Sequence, residues 1–276
     1  MIKMKNSMNS SNLKQEKYWS SFADHYFKTL YKDVKEYPSL IVRHNYILDL
    51  LNSDGRLIAD IGCGPGEMIA DLMDRDCKVY GVDIAEGMLQ VAARNISERH
   101  PHCPADLQCG NIEALHYKDN IFDGVVCAGV IEYLNSDDKA LRELNRILKI
   151  NGMLIISVRN KACPFRIFDL LLDKIKKIKI GLRFLNALRK VAKKDPIKYI
   201  SYRKHFPWEL ERNLVKHGFI KQDFRYFHFY PFFTPFDHFF PALFVKLGLK
   251  MERLSHTRLG FLGSGYIVKA KKVQEV

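Results

Sequence analysis

A glycine-rich stretch that begins with a carboxylate is the part of this sequence best suited to bind a ligand. Residues 60–66 read Asp-Ile-Gly-Cys-Gly-Pro-Gly and close a short apolar run that starts at Leu57. Glycines allow positive φ angles and let the backbone approach a ligand closely. The spacing is G-x-G-x-G rather than the G-x-G-x-x-G typical of pyrophosphate binding, and Glu67 follows it directly. A ligand with a cationic centre, or with an amino group near Asp60, suits these charges better than a phosphate.

Three further segments place suitable side chains after predicted strands. Asp83 ends the run 79–83, where a carboxylate can accept hydrogen bonds from both hydroxyls of a ribose. Asn111 and Ile112 follow a third strand and offer an amide and an apolar side chain for the edge and face of an adenine. A fourth strand, 122–129, runs toward the same crevice. These segments predict a crevice for a ligand that contains a ribose and an adenine.

The order of the apolar segments predicts the elements that position these residues. Apolar positions at helical spacing over 18–51 indicate two or three helices. Predicted strands and helices then alternate, with strands at 57–61, 79–82, 105–109, 124–128 and 153–158 and helices at 68–74, 88–97 and 138–148. A helix that opens at Pro207 and stops at Gly218, and a strand at 266–268, follow. The alternation is typical of an α/β protein with a doubly wound sheet.

In this order the segments DIGCGPGE, VDIAEGM, GNIEAL and FDGVVCAGVIEYL, followed by ELNRILKINGMLIISV, resemble the class I S-adenosylmethionine-dependent methyltransferases. The resemblance is to the small-molecule type, related to ubiquinone-biosynthesis enzymes, and it is strongest over residues 18–158. It implies a Rossmann-like seven-stranded sheet with an antiparallel last hairpin, and S-adenosylmethionine as the cofactor. We therefore expect an enzyme that moves a methyl group to a small, hydrophobic acceptor, with oxygen favoured over nitrogen or carbon.

Carried over by position, the resemblance implies a set of cofactor contacts. Those predicted for the methionine portion are Asp60, Gly62, Cys63 and Gly64. Those predicted for the ribose and adenine are Asp83, Ile84, Asn111 and Ile112, with Ala128 beneath the sulfonium. Tyr26 and Arg43, from the N-terminal helices, are predicted contacts of the amino-acid end. The structural alternative is that an Asp ending a strand only caps a helix and a glycine-rich turn is only a turn.

The expected reaction requires few catalytic groups. Methyl transfer from a sulfonium is an in-line displacement in which the leaving group loses charge, so positioning and exclusion of water supply much of the rate. A base is optional, and histidine is the usual candidate when an oxygen or nitrogen acceptor has to lose a proton. The histidines near the predicted pocket segments are His205, His116 and His228.

We predict no metal ion. Some ubiquinone-pathway methyltransferases carry a glutamate and histidine set around the equivalent of residues 129–133, thought to hold a metal. Here Glu132 matches, but Gly129 and Tyr133 replace the other ligands. The short cluster at 100–103, with two histidines and a cysteine, lies beside prolines and lacks a fourth ligand at zinc spacing.

Charge divides the chain into two unlike halves. The net charge is +13, but residues 1–150 hold 18 Lys and Arg against 22 Asp and Glu, whereas residues 151–276 hold 26 against nine. Residues 161–204 hold 14 Lys and Arg against three Asp, with Leu and Ile at helical spacing. Such a field favours anionic partners, which include nucleic acid, a membrane surface and an acidic small molecule.

Four regions follow from these patterns. We expect a flexible arm at 1–17, a cofactor-binding core with N-terminal lid helices at 18–160, a basic amphipathic helical cap at 161–206, and the rest of the core at 207–276. The last region holds 11 aromatic residues within 219–240. Because prolines interrupt RYFHFYPFFTPF, we expect its aromatic side chains to line a substrate pocket rather than to pair in a sheet.

Two hypotheses remain for the cap and the aromatic segment. They form either a lid that lies on anionic lipid through residues 161–204 and admits an apolar or aromatic acceptor, or a cap with a solvated basic face. No apolar run approaches the roughly 18 residues that span a bilayer, and the start lacks the apolar core of a secretory signal. We expect a cytoplasmic protein, peripheral at a membrane. Six cysteines without a CxxC pair indicate reduced thiols rather than a disulfide scaffold.

Two other functional classes stay open. An RNA or protein methyltransferase would use the basic second half, but the sequence holds no recognisable RNA-binding module and the aromatic residues cluster apart from the basic run. A non-catalytic, methyltransferase-like scaffold is the other alternative. The intact cofactor segments argue against it, and failure to bind the cofactor would favour it.

Overall fold

The computed structural model describes residues 10–32, 38–51, 55–103, 105–166, 200–231 and 241–276, with the single residues 178, 183 and 187. Seven strands form one sheet: β1 (Leu57–Ile61), β2 (Lys78–Asp83), β3 (Asp106–Cys109), β4 (Phe122–Ala128), β5 (Leu148–Arg159), β6 (Phe219–Phe229) and β7 (Gly263–Lys272). Their order is β3-β2-β1-β4-β5-β7-β6, and β7 is antiparallel to both neighbours. The predicted doubly wound sheet with an antiparallel last hairpin is confirmed.

Helices cover both faces of this sheet. They are α1 (Ser10–Phe27), α2 (Ser39–Leu51), α3 (Glu67–Met73), α4 (Glu86–Arg99), α5 (Asp138–Ile147), α6 (Pro207–Lys216) and α7 (Pro241–Met251). A π-helical turn, Lys28–Lys32, continues α1, and 3₁₀ turns occur at Ile131–Tyr133, Pro164–Arg166, Glu252–Leu254 and Arg258–Leu262. Within the described parts of the chain, no helix has the length and apolar character needed to cross a bilayer.

The two faces of the sheet explain why its central strands read as continuous apolar runs. Neighbouring residues of a strand point to opposite faces, and parallel strands covered on both sides bury both sets. In β4, Val125 belongs to the cluster that includes Leu144 of α5, whereas Val126 belongs to the cluster that includes Ile47 of α2. All four side chains named here are fully buried or nearly so. Truncating such a side chain to Ala costs roughly 2–5 kcal/mol for Leu or Ile.

The predicted flexible arm needs a correction at residues 10–17. These residues belong to α1, and three polar residues, Asn12, Gln15 and Glu16, are buried. Gln15 Nε2 donates a hydrogen bond to the Tyr133 carbonyl oxygen, 2.8 Å away. A polar helix face that satisfies another element's backbone looks in the sequence like a solvated face, which explains the error. Residues 1–9 lie outside the described residues.

The aromatic segment also needs a correction. Strand β6 pairs with β7 from Phe219 opposite Lys272 to Phe229 opposite Gly263. The expectation that the aromatic side chains of RYFHFYPFFTPF avoid sheet pairing is therefore wrong for residues 225–229. The first proline, Pro231, comes after the last residue of the strand, so it removes no ladder hydrogen bond. Residues 232–240 and nearly all of 167–199 lie outside the described residues, and with them most of the predicted cap.

Candidate active site

A cavity of about 350 Å³ opens at the carboxyl edge of the sheet and is covered by α1 and α2. This volume lies within the roughly 300–1,000 Å³ of small-molecule and cofactor sites. The cavity is lined by all of the predicted cofactor contacts: Tyr26, Arg43, Asp60, Gly62, Cys63, Gly64, Asp83, Ile84, Asn111, Ile112 and Ala128. The ends of four parallel strands bring these distant segments together.

The turn after β1 is shaped by glycines. Gly62 has a φ of +77°, and a Cβ atom there would lie 2.1 Å from Val130 Cγ2, so a side chain does not fit. Gly64 also has positive φ, +52°, but a Cβ atom there would meet no atom within 4 Å. The backbone N–H groups of Gly62 and Cys63 donate to the Val82 carbonyl oxygen at 2.6 and 3.0 Å. The turn is thus tied to β2 and leaves open space beside Gly64.

Asp60 is a buried carboxylate with unused hydrogen-bonding capacity. Asp60 is 2% exposed, and its Oδ2 has no hydrogen-bond partner among the described residues. Burial and the nearby Asp83 raise the pKa of Asp60 to about 7, while Arg43 acts in the opposite direction. A buried carboxylate without a donor is unfavourable. The residues therefore fit a ligand that brings a cationic donor, such as an amino group, to this oxygen.

Asp83 is held by the backbone at the end of β2. Its Oδ2 accepts a hydrogen bond from Gly64 N–H at 2.9 Å, and its Oδ1 accepts one from Ala85 N–H at 2.8 Å. Burial raises the pKa of Asp83, and these N–H groups oppose the rise. A carboxylate has about four acceptor positions, so both oxygens can still accept from hydroxyl groups. Asp83 therefore both anchors the turn and keeps capacity for a ribose.

The adenine side is polar at one residue and apolar at its neighbours. Asn111 Oδ1 accepts from Glu113 N–H at 3.0 Å, which fixes the side chain. Ile112 belongs to the buried core, and Ile84 lines the cavity from the end of β2. The amide N–H groups of Asn111 have no partner among the described residues, and they share the cavity wall with two branched apolar side chains. This combination suits the edge and face of a planar base.

The opposite end of the cavity is built from an ion pair that sequence analysis did not assign. Glu132 is 4% exposed, and its two oxygens accept hydrogen bonds from Nε and the backbone N–H of Arg159 at 3.0 and 3.1 Å. The guanidinium carbon of Arg159 lies 4.0 Å from the ring centre of Tyr202. Both Glu132 and Arg159 line the cavity. Glu132 is thus engaged by an arginine, and the described residues contain no His, Cys, Asp and Glu cluster suited to a metal ion.

Aromatic rings surround this end. Trp19 of α1 makes edge-to-face contacts with Tyr26 and Tyr133, with ring centres 5.7 and 5.5 Å apart. Burial raises the pKa of both tyrosines, so both hydroxyls stay protonated near neutral pH. The cavity therefore changes from backbone and carboxylates at one end to aromatic rings and an arginine at the other.

The three candidate histidines lie elsewhere. His205 is buried, with Nε2 3.2 Å from Asp137 Oδ2, and it joins the edge of the sheet through a bridge to Asn160. His116 is exposed in a loop, and His228 lies on β6, where its backbone N–H donates to Glu252 Oε1. Along the cavity walls that the described residues form, none of the three contributes a side chain. The prediction relied on how close the three histidines are to the pocket segments in the sequence. The direction of each strand decides which end of a segment reaches the cavity, and these histidines lie away from those ends.

Another histidine does line the cavity. His44 of α2 is buried, and its Nε2 lies 2.6 Å from Asp71 Oδ2. Burial raises the pKa of Asp71, but hydrogen bonds from His44 and Arg99 outweigh it, so the pKa is lowered overall. The sequence gives no signal for this pair, because Asp71 is one of several acidic residues on an ordinary amphipathic helix. Arg159, by contrast, directly follows a predicted strand, which is the signal that identified Asp83.

The sheet order, the glycine turn and two strand-end carboxylates define a Rossmann-like enzyme with a nucleoside cofactor. Residues 59–156 match the family described as "Methyltransferase domain". A demethylmenaquinone methyltransferase from Symbiobacterium thermophilum is 31% identical over 189 residues, which are 62% of this chain and 71% of that protein. The chain belongs to the class I S-adenosylmethionine-dependent methyltransferases, as the sequence segments indicated.

More distant proteins agree on the class. A ubiquinone biosynthesis O-methyltransferase from Coxiella burnetii is 23% identical over 196 residues, 71% of this chain and 77% of that protein. The crystal structure of magnesium protoporphyrin IX methyltransferase from Synechocystis PCC 6803 with bound S-adenosylmethionine has a TM-score of 0.61 and 16% identity, and covers 96% of this chain and 99% of that one. At that identity it shows the fold alone. The chain is thus an S-adenosylmethionine-dependent methyltransferase of small molecules.

Proposed function

We propose that this methyltransferase transfers the methyl group to an oxygen atom of a small, apolar or aromatic acceptor. The observation that carries the cofactor assignment is the unpartnered Asp60 Oδ2, buried at the mouth of the glycine turn. Support for the acceptor class comes from the rings of Trp19, Tyr26 and Tyr133 at the other end of the cavity. The names of two relatives also support an apolar or aromatic acceptor: a demethylmenaquinone methyltransferase and a ubiquinone biosynthesis O-methyltransferase, of which the second name specifies transfer to oxygen.

Each part of the cofactor has a matching group. When bound, S-adenosylmethionine supplies a methyl group on a positively charged sulfur. Asp60 would accept from its amino group, and Asp83 would accept from the ribose hydroxyls. Asn111, Ile112 and Ile84 would surround the adenine. Arg43, which is hydrogen-bonded to the Tyr31 hydroxyl, would bind the carboxylate.

The chain's own contribution to the reaction is orientation and exclusion of water. Helices α1 and α2 close the cavity above the strand ends, and the aromatic rings exclude water where the acceptor enters. Holding the acceptor oxygen in line with the methyl group removes an entropic barrier that can reach roughly 7–11 kcal/mol in well-oriented systems.

Calorimetric titration of the purified chain with S-adenosylmethionine, S-adenosylhomocysteine and NAD tests the cofactor assignment. We expect the first two to bind and NAD not to bind, because Glu67 stands where a pyrophosphate would lie. Methyl transfer to quinone-like, phenolic and lipid acceptors would then identify the acceptor class. Binding of none of the three cofactors would contradict the proposal and favour a non-catalytic scaffold.

We further propose that the enzyme works at an anionic membrane surface. The support is the basic run 161–204 together with residues 241–262, which connect β6 to β7 at the same carboxyl edge as the cavity. This connection exposes four basic and four large apolar side chains: Lys246, Lys250, Arg253, Arg258, Leu243, Leu249, Leu259 and Phe261. Within residues 241–262 the single acidic residue, Glu252, is buried. Exposed cations alternating with apolar side chains suit a lipid interface.

Sedimentation with lipid vesicles tests this location. We expect binding to vesicles with an anionic lipid and much weaker binding to zwitterionic ones. Reversal of charge in a Lys246→Glu, Lys250→Glu variant should reduce binding, whereas Lys118→Glu, before β4 at the opposite edge of the sheet, should not. Equal binding of the two variants would contradict the proposal.

A further inference from the structure

Arg159 lies on the same face of the sheet as Asp60, the carboxylate predicted to bind the cofactor's amino group, but two strands away from it. Asp60 is in register with Val126 of β4, and Val126 is in register with Ile155 of β5. Side chains two residues apart point to the same face of a strand, so Arg159, four residues after Ile155, points as Asp60 does. β4 separates the two residues. Arg159 therefore reaches the cavity beyond Ala128, on the side away from β2 and β3, where the ribose and adenine contacts lie.

The guanidinium of Arg159 is held by three side chains. Its Nε donates to Glu132, the Tyr133 hydroxyl is hydrogen-bonded to it, and its central carbon lies 4.0 Å from the centre of the Tyr202 ring. An arginine has five N–H donors in a rigid fork, and these contacts orient the fork without using all five. The side chain of Arg159 lines the cavity and is 38% exposed. Donors are thus available at a fixed position among Trp19, Tyr26 and Tyr133.

The charges at this end of the cavity favour an anion. The guanidinium of Arg159 lines it together with one carboxylate, Glu132, whose two oxygens already accept hydrogen bonds from Arg159. Arg43, which we assign to the cofactor's carboxylate, has its Nη1 2.8 Å from the position that a Cβ atom of Gly129 would occupy, so it lies between the two ends of the cavity. The sulfonium of the bound cofactor adds a further positive charge.

Given the proposed function, we propose that Arg159 binds the acceptor through an anionic oxygen, a carboxylate or a phenolate, carried on an apolar or aromatic body. The anionic oxygen forms the new bond to the methyl carbon, the carbon–sulfur bond breaks, and its electron pair returns to sulfur, which becomes a neutral thioether. No proton has to leave the acceptor during the transfer. This explains how the site operates although His205, His116 and His228 lie away from the described cavity walls.

Arg159 is thereby a specificity-determining residue. Arg–oxyanion hydrogen bonds are charge-assisted and stronger than those to neutral groups. A neutral isostere of the acceptor would leave the oriented N–H groups of Arg159 unsatisfied. The site should therefore distinguish an acid from its amide even when the two have the same shape.

Calorimetry in the presence of saturating S-adenosylhomocysteine tests this preference without turnover. The probes are two matched pairs, 2-naphthoate with 2-naphthamide and 4-nitrophenolate with 4-nitroaniline. We expect the intact enzyme to bind at least one anion about tenfold more tightly than its neutral partner. The pair that shows the difference distinguishes a carboxylate acceptor from a phenolate one.

Two variants assign the preference to Arg159. In Arg159→Met the preference should fall below about threefold, while S-adenosylhomocysteine affinity stays unchanged, which shows that the site is folded. In Lys161→Met, which removes an exposed cation two residues away and outside the cavity lining, the preference should remain. The proposal is overturned if no anion is preferred or if Arg159→Met retains the preference. Failure of the intact enzyme to bind S-adenosylhomocysteine would instead overturn the cofactor assignment.

Discussion

The two ends of the cavity are built from different materials. The end after β1, β2 and β3 consists of backbone turned by glycines and of carboxylates anchored by backbone N–H groups, as with Asp83. The end after β5 consists of long side chains that hold one another, as with Glu132, Arg159 and Tyr202. Few substitutions are possible in the backbone turn of the first end, whereas one or two substitutions can change the shape and charge of the second end. Enzymes that share a cofactor but differ in their acceptor would require this division.

The largest expected effect tests how rigid the first end is. In Gly62→Ala, a left-handed φ costs roughly 1–2 kcal/mol, and the 2.1 Å approach to Val130 Cγ2 adds an overpacking cost of roughly 1–3 kcal/mol. Urea unfolding should therefore show a loss of about 2–5 kcal/mol. Gly64→Ala is the matched control, since it has positive φ and open space, and it should lose only the strain. Equal losses for the two variants would show that the contact with Val130 is unimportant.

Asp83→Ala should weaken S-adenosylhomocysteine binding at least about 100-fold, because two hydrogen bonds to a charged group contribute at least roughly 1.5 kcal/mol each when intact. The fold should persist, with a smaller stability loss from the freed N–H groups of Gly64 and Ala85. Calorimetry measures the affinity. Asp83→Asn keeps one acceptor oxygen, so its affinity should lie between those of the intact enzyme and Asp83→Ala. Unchanged affinity in Asp83→Ala would contradict the assignment of Asp83 to the ribose. It would also contradict the division of the cavity into a cofactor end and an acceptor end.

The pH dependence of binding sharpens the same distinction through Asp60. Its pKa is raised to about 7 by burial and Asp83, so only the ionised form above this pH pairs with an ammonium group. Affinity for S-adenosylhomocysteine should fall roughly tenfold per pH unit below 7 and level off above it. Asp60→Asn should bind weakly with a flat profile over this range. A sloping profile in Asp60→Asn would assign the titration to another group.

The stability of the free protein should show the opposite trend. Because the pKa of Asp60 is higher in the folded chain than its usual value of 3.8, its contribution to stability is present below that value and is lost as the pH rises through 7. Addition of S-adenosylhomocysteine should restore stability at the high end of this window by mass action. Thermal unfolding at several pH values, with Asp60→Asn as control, measures both effects.

The division of the cavity also explains what could be predicted from the sequence. Asp60, Asp83 and Asn111 were assigned because each follows a short apolar run, and the carboxyl ends of parallel strands meet at one edge. Local pattern alone places them. The doubly wound sheet follows from the same alternation, and the antiparallel last hairpin from the family resemblance. Strand boundaries moved, as where β5 begins at Leu148 rather than Met153.

The acceptor end depends on contacts between segments far apart in the chain. Glu132 and Arg159 are 27 residues apart, and nothing in either segment indicates that they pair. Tyr202 and Gln15 also reach the acceptor end of the cavity, and they are far apart in the chain. Strand β6 was missed because the prolines that follow it, the first at Pro231, suggest a break across the whole aromatic segment. The residues of β6 itself contain no proline, and their aromatic side chains favour a strand that pairs with β7. Tertiary contacts of this kind are set by the completed fold.

The smallest expected effect concerns His205, the candidate base that the structure places outside the described cavity walls. Its ring binds Asp137, which also pairs with Arg203, and these two partners hold the pKa of Asp137 below its usual range despite burial. His205→Ala should cost roughly 1.5–3 kcal/mol of stability, the value of a hydrogen bond to a charged group. Affinity for S-adenosylhomocysteine, and turnover once an acceptor is found, should stay within about twofold. A flat or acid-shifted pH–rate profile in His205→Ala, together with a loss of turnover of tenfold or more, would restore His205 as a base. It would also show that the acceptor end extends beyond Glu132 and Arg159.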